Sequence, residues 1–91
     1  ISLKTLLPPL LLFFSGIIRV LALIKPQFEV GKGQIGTGGV VRDSELHEKV
    51  IEEIQEFAST LTLVPVGVSP SPILGPKGNR EFLIYLVSER Q

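Results

Sequence analysis

The stretch over residues 17–24 (IIRVLALI) constrains the fold of this chain more than any other feature. It is almost continuously apolar and mixes β-branched residues with leucine, a pattern typical of a strand covered on both faces. Strands of that kind occur mainly in parallel sheets flanked by helices. The stretch therefore predicts an α/β fold built around a buried strand.

The remaining pattern predicts helices and short strands on both sides of this strand. Pro8-Pro9 predicts a distortion or restart in the first helix, because proline removes an amide donor, and Ser15-Gly16 predicts its end. Asp43 is the expected N-cap of the second helix. The expected order is a helix over 3–14, a strand over 17–24, a loop over 26–42, a helix over 44–61, a strand over 64–69, a loop over 69–80 and a strand over 82–87.

The connections between the strands predict their topology. The strand over 17–24 reaches the strand over 64–69 through a long helix, so these two are expected to run parallel with a right-handed crossover. The strand over 82–87 follows through a loop without a helix, which suits an antiparallel return. The prediction is the end of an open α/β sheet, in which parallel strands are followed by one reversed strand.

Two charged residues mark the edge where ligands bind in open α/β sheets, beyond the carboxyl ends of the parallel strands. Lys25 follows the strand over 17–24 and Glu81 precedes the reversed strand, so the two meet at this edge if the strands are neighbours. A lysine that simply reaches solvent and an ordinary edge carboxylate are the alternative. Spacing alone does not decide between these interpretations.

Basic residues are concentrated at the same edge, although nine basic and nine acidic residues leave the chain with no net charge. Five of the acidic residues lie on the helix over 44–61. Bulk charge would therefore not hold a nucleic acid, but a phosphate-bearing partner would meet a basic rim at the sheet edge. The basic rim consists of Lys25, Lys32, Arg42, Lys77 and Arg80.

Two glycine-containing loops lie at this edge. Residues 31–36 (GKGQIG) have the spacing of a dinucleotide-binding fingerprint, but five residues separate them from the strand and the next helix starts only after Asp43. The mismatch favours a flexible active-site loop over a cofactor fingerprint. Residues 75–79 (GPKGN) form either a plain turn or a phosphate contact through the backbone and Lys77, and both interpretations stay open.

Composition and the N-terminal segment limit the other classes of function. The absence of Cys and the single His predict no metal site. Residues 5–18 resemble a signal or membrane segment, but Pro8-Pro9, Ser15-Gly16 and Arg19 interrupt a run shorter than the roughly 20 residues that a spanning helix needs. A buried core segment is therefore favoured. The chain starts at Ile1 and contains no Met, so we expect a missing upstream segment.

Four motifs in this chain are similar to those of one known family. They are ISLKTLLPPL, ALIKPQFE, GGVVRD at the start of a helix, and SPSPILGPKGNREFL. Together they resemble the TlyA family of FtsJ-like ribosomal RNA 2'-O-methyltransferases, often called haemolysin-like. The resemblance implies that residues 1–91 are the C-terminal part of one Rossmann-like methyltransferase domain. It also implies that the RNA-binding domain and most of the S-adenosylmethionine site lie before Ile1.

The resemblance implies specific roles for the residues at the sheet edge. Lys25 and Glu81 match the last two members of the family's Lys-Asp-Lys-Glu set, whose first two members would lie upstream. A lysine accepts the proton of a ribose hydroxyl only where burial or a neighbouring cation disfavours its charged form. Lys25 is then the expected general base, Glu81 its positioning partner, and the rest of the basic rim the expected contacts to RNA.

The same resemblance implies the partners and leaves two alternatives. The expected partners are S-adenosylmethionine and ribosomal RNA or a ribosomal subunit, in the cytoplasm and without stable membrane association. The fragment alone is expected to be inactive. The first alternative is a membrane-active haemolysin with residues 3–14 as its lytic segment, although Lys4 is the segment's one basic residue and a surface-active helix needs a basic face. The second is a catalytically inactive RNA-binding relative.

Overall fold

The structure, a computed structural model, describes residues 1–90, except for the side chains of Lys32, Thr37, Glu89 and Arg90. Three helices and three strands carry the fold, and short 3-10 turns lie in the loops. The elements are α1 (Leu3–Leu11), β1 (Gly16–Ile24), α2 (Pro26–Glu29), α3 (Ser44–Thr60), β2 (Val64–Pro70) and β3 (Phe82–Arg90), with 3-10 turns at Lys32–Gln34, Thr37–Gly39 and Pro76–Gly78.

The three strands form one sheet in the order β1-β3-β2, and β3 is antiparallel to both of its neighbours. The last residue of β1, Ile24, pairs with the first residue of β3, Phe82. On the other side of β3, Pro70 pairs with the same residue. β1 and β2 therefore run in the same direction, with β3 between them.

The expected common direction of β1 and β2 is observed, but directly paired parallel strands, as in a Rossmann-like sheet, are not confirmed in the part of the chain that the structure describes. The α/β class and the reversed final strand are confirmed, but β3 inserts between β1 and β2 instead of following them at the edge. Ile84 and Leu86 of β3 are fully buried. A central position covers these side chains and lets both backbone edges of β3 form hydrogen bonds, which an edge position would not.

Coverage of β1 on both faces, predicted from its apolar run, is also not observed within residues 1–90. Ile18 and Ile24 are buried against the helices, while Ile17 and Leu21 are exposed on the opposite face. The core therefore lies on one side of the sheet. It is formed mainly by leucines of α1, aliphatic residues of α3 and the inward-facing residues of β1 and β3.

Helix α1 runs without a break through Pro8 and Pro9 and ends earlier than the sequence predicts. Its buried residues Leu3, Leu7 and Leu11 recur at intervals of four, which directs one face of the helix into the core. No helix within residues 1–90 is long and apolar enough to cross a membrane. In the folded chain α1 is thus a core element, which does not favour its interpretation as a lytic segment.

Helix α3 agrees with its prediction at both ends. The carboxylate of Asp43 accepts a hydrogen bond from the Glu45 N–H at 2.8 Å, as expected of an N-cap. Val50, Ile54 and Ala58 are buried against the sheet. The helix therefore anchors the end of the loop that precedes it, and this loop belongs to the candidate site.

Candidate functional site

Lys25 and Glu81 lie at the same edge of the sheet, as the sequence predicts for neighbouring strands. Ile24 and Phe82 pair in the register of β1 and β3, and Lys25 and Glu81 are the next residue beyond this pair on each strand. Residues 56 positions apart in the chain therefore reach one site through the sheet register. A shift of several residues in the register of β1 and β3 would separate Lys25 and Glu81 along the strand direction.

The backbone at Lys25 is set by the proline that follows it. Pro26 disfavours helical geometry in the residue before it, so Lys25 is extended (φ −112°, ψ 98°) and α2 starts at the proline. The Lys25 carbonyl accepts a hydrogen bond from the Phe28 N–H at 2.8 Å. Its half-buried side chain places Nζ 5.5 Å from the centre of the Phe28 ring. Such a contact contributes about 0.5–1 kcal/mol at exposed sites, so the ring holds the amine only weakly.

Glu81 is buried, with 4% of its surface exposed. Its Oε2 accepts a hydrogen bond of 2.9 Å from the side-chain amide of Gln27. The same carboxylate packs closely on Gly75, where a Cβ atom would lie 2.5 Å from the Glu81 Cδ and closer still to Oε2. The hydrogen bond and the close packing together restrict the orientation of this buried carboxylate, which a positioning role requires.

Lys25 and Glu81 are not in contact, even though they share the edge. Within residues 1–90 the recorded ion pair joins Lys4 to Glu53, and none joins Lys25 to Glu81. The ammonium lies over Phe28 while the carboxylate is bound by Gln27. A direct interaction of the two groups therefore requires the Lys25 side chain to leave the Phe28 ring.

Asn79 connects the two loops that flank this edge. Its Oδ1 accepts a hydrogen bond from the Val41 N–H at 2.9 Å, and its Nδ2 donates to the Gly39 and Pro76 carbonyls at 3.0 and 3.1 Å. His47 of α3 adds a 2.7 Å hydrogen bond to the Val41 carbonyl. The amide of Asn79 thus replaces backbone pairing between the loops, because neither loop forms part of the sheet.

Replacement of Asn79 by alanine in the full-length protein is expected to lower the free energy of unfolding by about 2–3 kcal/mol. Asn79 is 2% exposed and Val41 is also 2% exposed, so the Val41 N–H would stay buried without a partner. Urea unfolding measures the change. Gln34→Ala is the control, since the Gln34 side chain also accepts a loop N–H, but in an exposed position. Equal losses in the two variants would contradict the role assigned to Asn79.

The described members of the basic rim lie along the two joined loops. Lys77 and Arg80 are exposed, and Arg80 Nη1 donates to the Ser71 carbonyl at 3.4 Å. Lys77 has a left-handed backbone (φ 58°), uncommon for a residue with a Cβ, at the centre of the turn that Gly75 and Asn79 close with a 2.7 Å hydrogen bond. Arg42 is exposed in the loop before α3.

RNA contact by the basic rim stays a prediction. Residues 75–79 form a turn around Pro76–Gly78, and both interpretations of it, a plain turn and a phosphate contact through Lys77, stay open. The side chain of Lys32 lies outside the described residues. Since Asn79 joins the loops, the side chains of Arg42, Lys77 and Arg80 extend from a single connected surface.

The glycines of residues 31–36 do not open a helix. They lead into 3-10 turns at Lys32–Gln34 and Thr37–Gly39, and α3 starts only at Ser44. Gly36 is required for a close backbone approach, since a Cβ there would lie 2.7 Å from the Val40 carbonyl oxygen. With no helix N-terminus directed at this loop, its geometry does not fit the phosphate-binding turn of a dinucleotide or a similar cofactor.

Four residues of this region have roles that reasoning from the sequence missed. Gln27 and Gly75 hold Glu81, and Asn79 joins the loops. The Glu29 carboxylate accepts hydrogen bonds from the Ser2 hydroxyl at 2.5 Å and the Leu3 N–H at 2.9 Å, which ties α2 to the start of α1. All four lie within six residues of Lys25 or Glu81 in the sequence, which was the available signal. Their hydrogen-bond partners are remote in the sequence, so only the fold identifies them.

Comparisons with known proteins agree on one family. A family model described as FtsJ-like methyltransferase matches residues 1–88. TlyA of Mycobacterium tuberculosis, named a 16S/23S rRNA (cytidine-2'-O)-methyltransferase, is 45% identical over 86 residues, which are 94% of this chain and 32% of the relative. YqxC of Bacillus subtilis, named as an rRNA methyltransferase, is 40% identical over 94% of this chain and 31% of its own length.

A solved structure supports the same relationship. A protein of Lactococcus lactis named as a hemolysin superposes with a TM-score of 0.92 at 43% identity, over 98% of this chain and 42% of that protein. The chain therefore spans about a third of the length of the curated relatives that it matches. The residues that surround Lys25 and Glu81 all lie inside the matched region.

Proposed function

This chain belongs to the FtsJ-like methyltransferase family, and we propose that the full-length protein methylates ribose 2'-hydroxyl groups of ribosomal RNA. The name of TlyA, a cytidine-2'-O-methyltransferase of 16S and 23S rRNA, supports the reaction and the substrate. The name of YqxC supports ribosomal RNA as the substrate. The proposed partner is ribosomal RNA, free or within a ribosomal subunit, and the proposed location is the cytoplasm.

The observation that carries this proposal is the position of Lys25 and Glu81 at one sheet edge, with Glu81 buried and held by Gln27. Buried carboxylates are uncommon without a specific partner or purpose. Here the carboxylate shares the sheet edge with a lysine whose ammonium, among the described residues, contacts the Phe28 ring. An amine that is held only weakly, at the same edge as an oriented carboxylate, suits proton transfer better than a structural ion pair does.

In the proposed reaction Lys25 accepts a proton and Glu81 orients the catalytic set. A ribose 2'-hydroxyl is a weak nucleophile, so its proton must leave as the oxygen attacks carbon. The Lys25 Nζ accepts this proton on the lone pair of the uncharged amine. Arg42, Lys77 and Arg80 would bind phosphates on either side of the target ribose and hold it at the edge. S-adenosylmethionine, the methyl donor we propose, would supply the electrophilic methyl carbon when bound, and its sulfur would keep the electron pair of the broken S–C bond as a neutral thioether.

No residue of this chain is assigned to the methyl donor. The loop over 31–36 does not fit a cofactor turn, as described above, and the remaining part of the family's domain is the proposed source of that site. The parallel part of a Rossmann-like sheet belongs to the same proposal. β1 and β2 run in one direction with a reversed strand between them, which is compatible with further parallel strands in the full domain.

The test uses full-length protein, ribosomal RNA and S-adenosylmethionine labelled in the methyl group. Alkali cleaves RNA through attack of the 2'-oxygen on phosphate, so a 2'-O-methyl group protects the adjacent bond. We expect the label in alkali-resistant dinucleotides. Label in mononucleotides would indicate base methylation and contradict the proposal. RNA binding without label would favour an inactive relative, and leakage of liposomes without cofactor would favour a haemolysin.

A further inference from the structure

The side chain of Gln27 combines one satisfied and one unsatisfied polar atom at the centre of the site. Its Nε2 donates to Glu81 Oε2 at 2.9 Å. Its Oε1 is buried and has no hydrogen-bond partner in the part of the chain that the structure describes. Within that part it is the single buried side-chain atom in this condition. Gln27 follows Lys25 by two residues on α2 and is half-buried.

The chemistry of the pair determines which way the amide points. An ionised carboxylate can only accept hydrogen bonds, so the NH₂ group must face Glu81 and the carbonyl must face away. A rotation of the amide by half a turn would place two oxygens against each other. Oε1 is therefore a fixed acceptor, and a buried acceptor without a donor is unfavourable because it has lost its hydrogen bonds to water. A donor supplied by another molecule or segment would remove this cost.

We propose that Gln27 is a positioning residue of the methyl-transfer site, an inference that rests on the proposed function. Its NH₂ group fixes the Glu81 carboxylate, and its Oε1 accepts an N–H or O–H from the reacting groups. The donor is either an amine of the catalytic set or the ribose hydroxyl. In both cases one amide connects Glu81 to the group that loses or receives the proton, and Gln27 itself exchanges none.

The first test replaces Gln27 by leucine in the full-length protein. We expect kcat to fall about 10- to 100-fold, as for other residues that orient a catalytic group. An unchanged KM for RNA would identify an amine as the donor to Oε1, while a raised KM would identify the ribose hydroxyl. Gln55→Leu is the matched control, a half-buried glutamine on α3 away from the site. Its kinetic constants should stay at the wild-type values.

The second test, Gln27→Glu, has a readout that a general loss of packing would not produce. The substitution changes NH₂ to oxygen and places a second carboxyl group beside Glu81. Two carboxylates so close cannot both be ionised, so the variant positions Glu81 only while the pair keeps a proton. Its activity, normalised to its own maximum, is expected to fall as pH rises through the range in which wild-type activity is retained.

The outcomes separate this inference from the proposed function. If the wild-type protein transfers no label to ribose, or Lys25→Ala stays fully active, the proposed function fails whatever Gln27 does. If the wild type is active, Lys25→Ala is inactive, and both Gln27 variants match the Gln55→Leu control at every pH, the inference is overturned and the function stands. The inference is also overturned if the pH–activity profile of Gln27→Glu has the wild-type shape at a lower maximum. A loss of stability alone would lower the activity by the same factor at every pH.

Discussion

The Lys25→Ala variant of the full-length protein is expected to methylate ribosomal RNA roughly 10²–10⁴-fold more slowly than the wild type, the range typical of a lost general base. The 2'-hydroxyl then transfers its proton to water, which is neither positioned nor basic enough. KM for RNA should change little, since the other members of the basic rim remain. Single-turnover transfer of labelled methyl groups measures the chemical step separately from product release.

Two further variants separate the loss of a base from the loss of a charge. Lys25→Arg retains a positive side chain that does not release its proton in proteins, so it should be as slow as the alanine variant. Lys4→Ala removes an exposed lysine that pairs with Glu53 at 3.5 Å, and such a surface pair contributes about 0–1 kcal/mol. It should keep wild-type activity. Full activity in Lys25→Arg would show that Lys25 acts through its charge, and undiminished activity in Lys25→Ala would remove it from the site.

The Gly75→Ala variant is expected to lose about 10²-fold in methyl transfer, the cost of displacing a catalytic group by about 1 Å. The added Cβ would lie 2.5 Å from the Glu81 Cδ, so the carboxylate must turn away from Gln27. The Gly75 backbone itself (φ −77°, ψ −170°) suits alanine. Because the displaced atoms are the end of a flexible side chain, the free energy of unfolding should change much less than the rate.

The matched control for this variant is Gly67→Ala. No heavy atom lies within 4 Å of the position of a Cβ at Gly67, so the same chemical change meets no obstacle there. Rate measurements should give wild-type activity for Gly67→Ala and equal defects for Gly75→Ala and Glu81→Gln. If Gly75→Ala were as active as the wild type, the orientation of Glu81 would not matter to the reaction.

The name hemolysin, which one of the similar solved structures carries, refers to membrane lysis, whereas the candidate site supports the proposed methyl transfer. Exposed apolar residues do occur near α1, where Leu12 and Phe13 are 80% and 82% exposed. The apolar face of α1 itself is buried, with Leu7 and Leu11 in the core. Membrane insertion of this helix would therefore require unfolding of the core, whereas the proposed methyl transfer leaves the core folded.

The local structure of this chain could be read largely from its sequence. Residues 17–24 predict β1 within one residue, and Asp43 predicts the start of α3 through a cap that depends on adjacent backbone groups. Both signals act over a few residues, so they do not depend on the rest of the chain. The distortion predicted at Pro8 and Pro9 is not observed, since α1 continues through both residues. Two lost hydrogen bonds in one helix are offset by burial of its leucines.

The position of β3 was beyond the reach of the same reasoning. A loop without a helix predicts that the chain reverses direction after β2. The sequence does not decide whether β3 then pairs with the outer edge of β2 or lies between β1 and β2. Burial decides the outcome, because Ile84 and Leu86 are covered on the core side and both edges of β3 are paired only in the centre. Lys25 and Glu81 are neighbours as a consequence of this choice.

The sequence by itself determined the residue types, the strand ends at which Lys25 and Glu81 lie, and the family that the motifs resemble. The tertiary structure alone decided how the Glu81 carboxylate is held. Gln27 of α2 donates a hydrogen bond to it, and Gly75 leaves room for it because glycine has no side chain. It also decided that Lys25 faces Phe28 and makes no contact with Glu81. Such contacts depend on distances of a few tenths of an ångström between residues remote in the chain, and only close packing in three dimensions sets them.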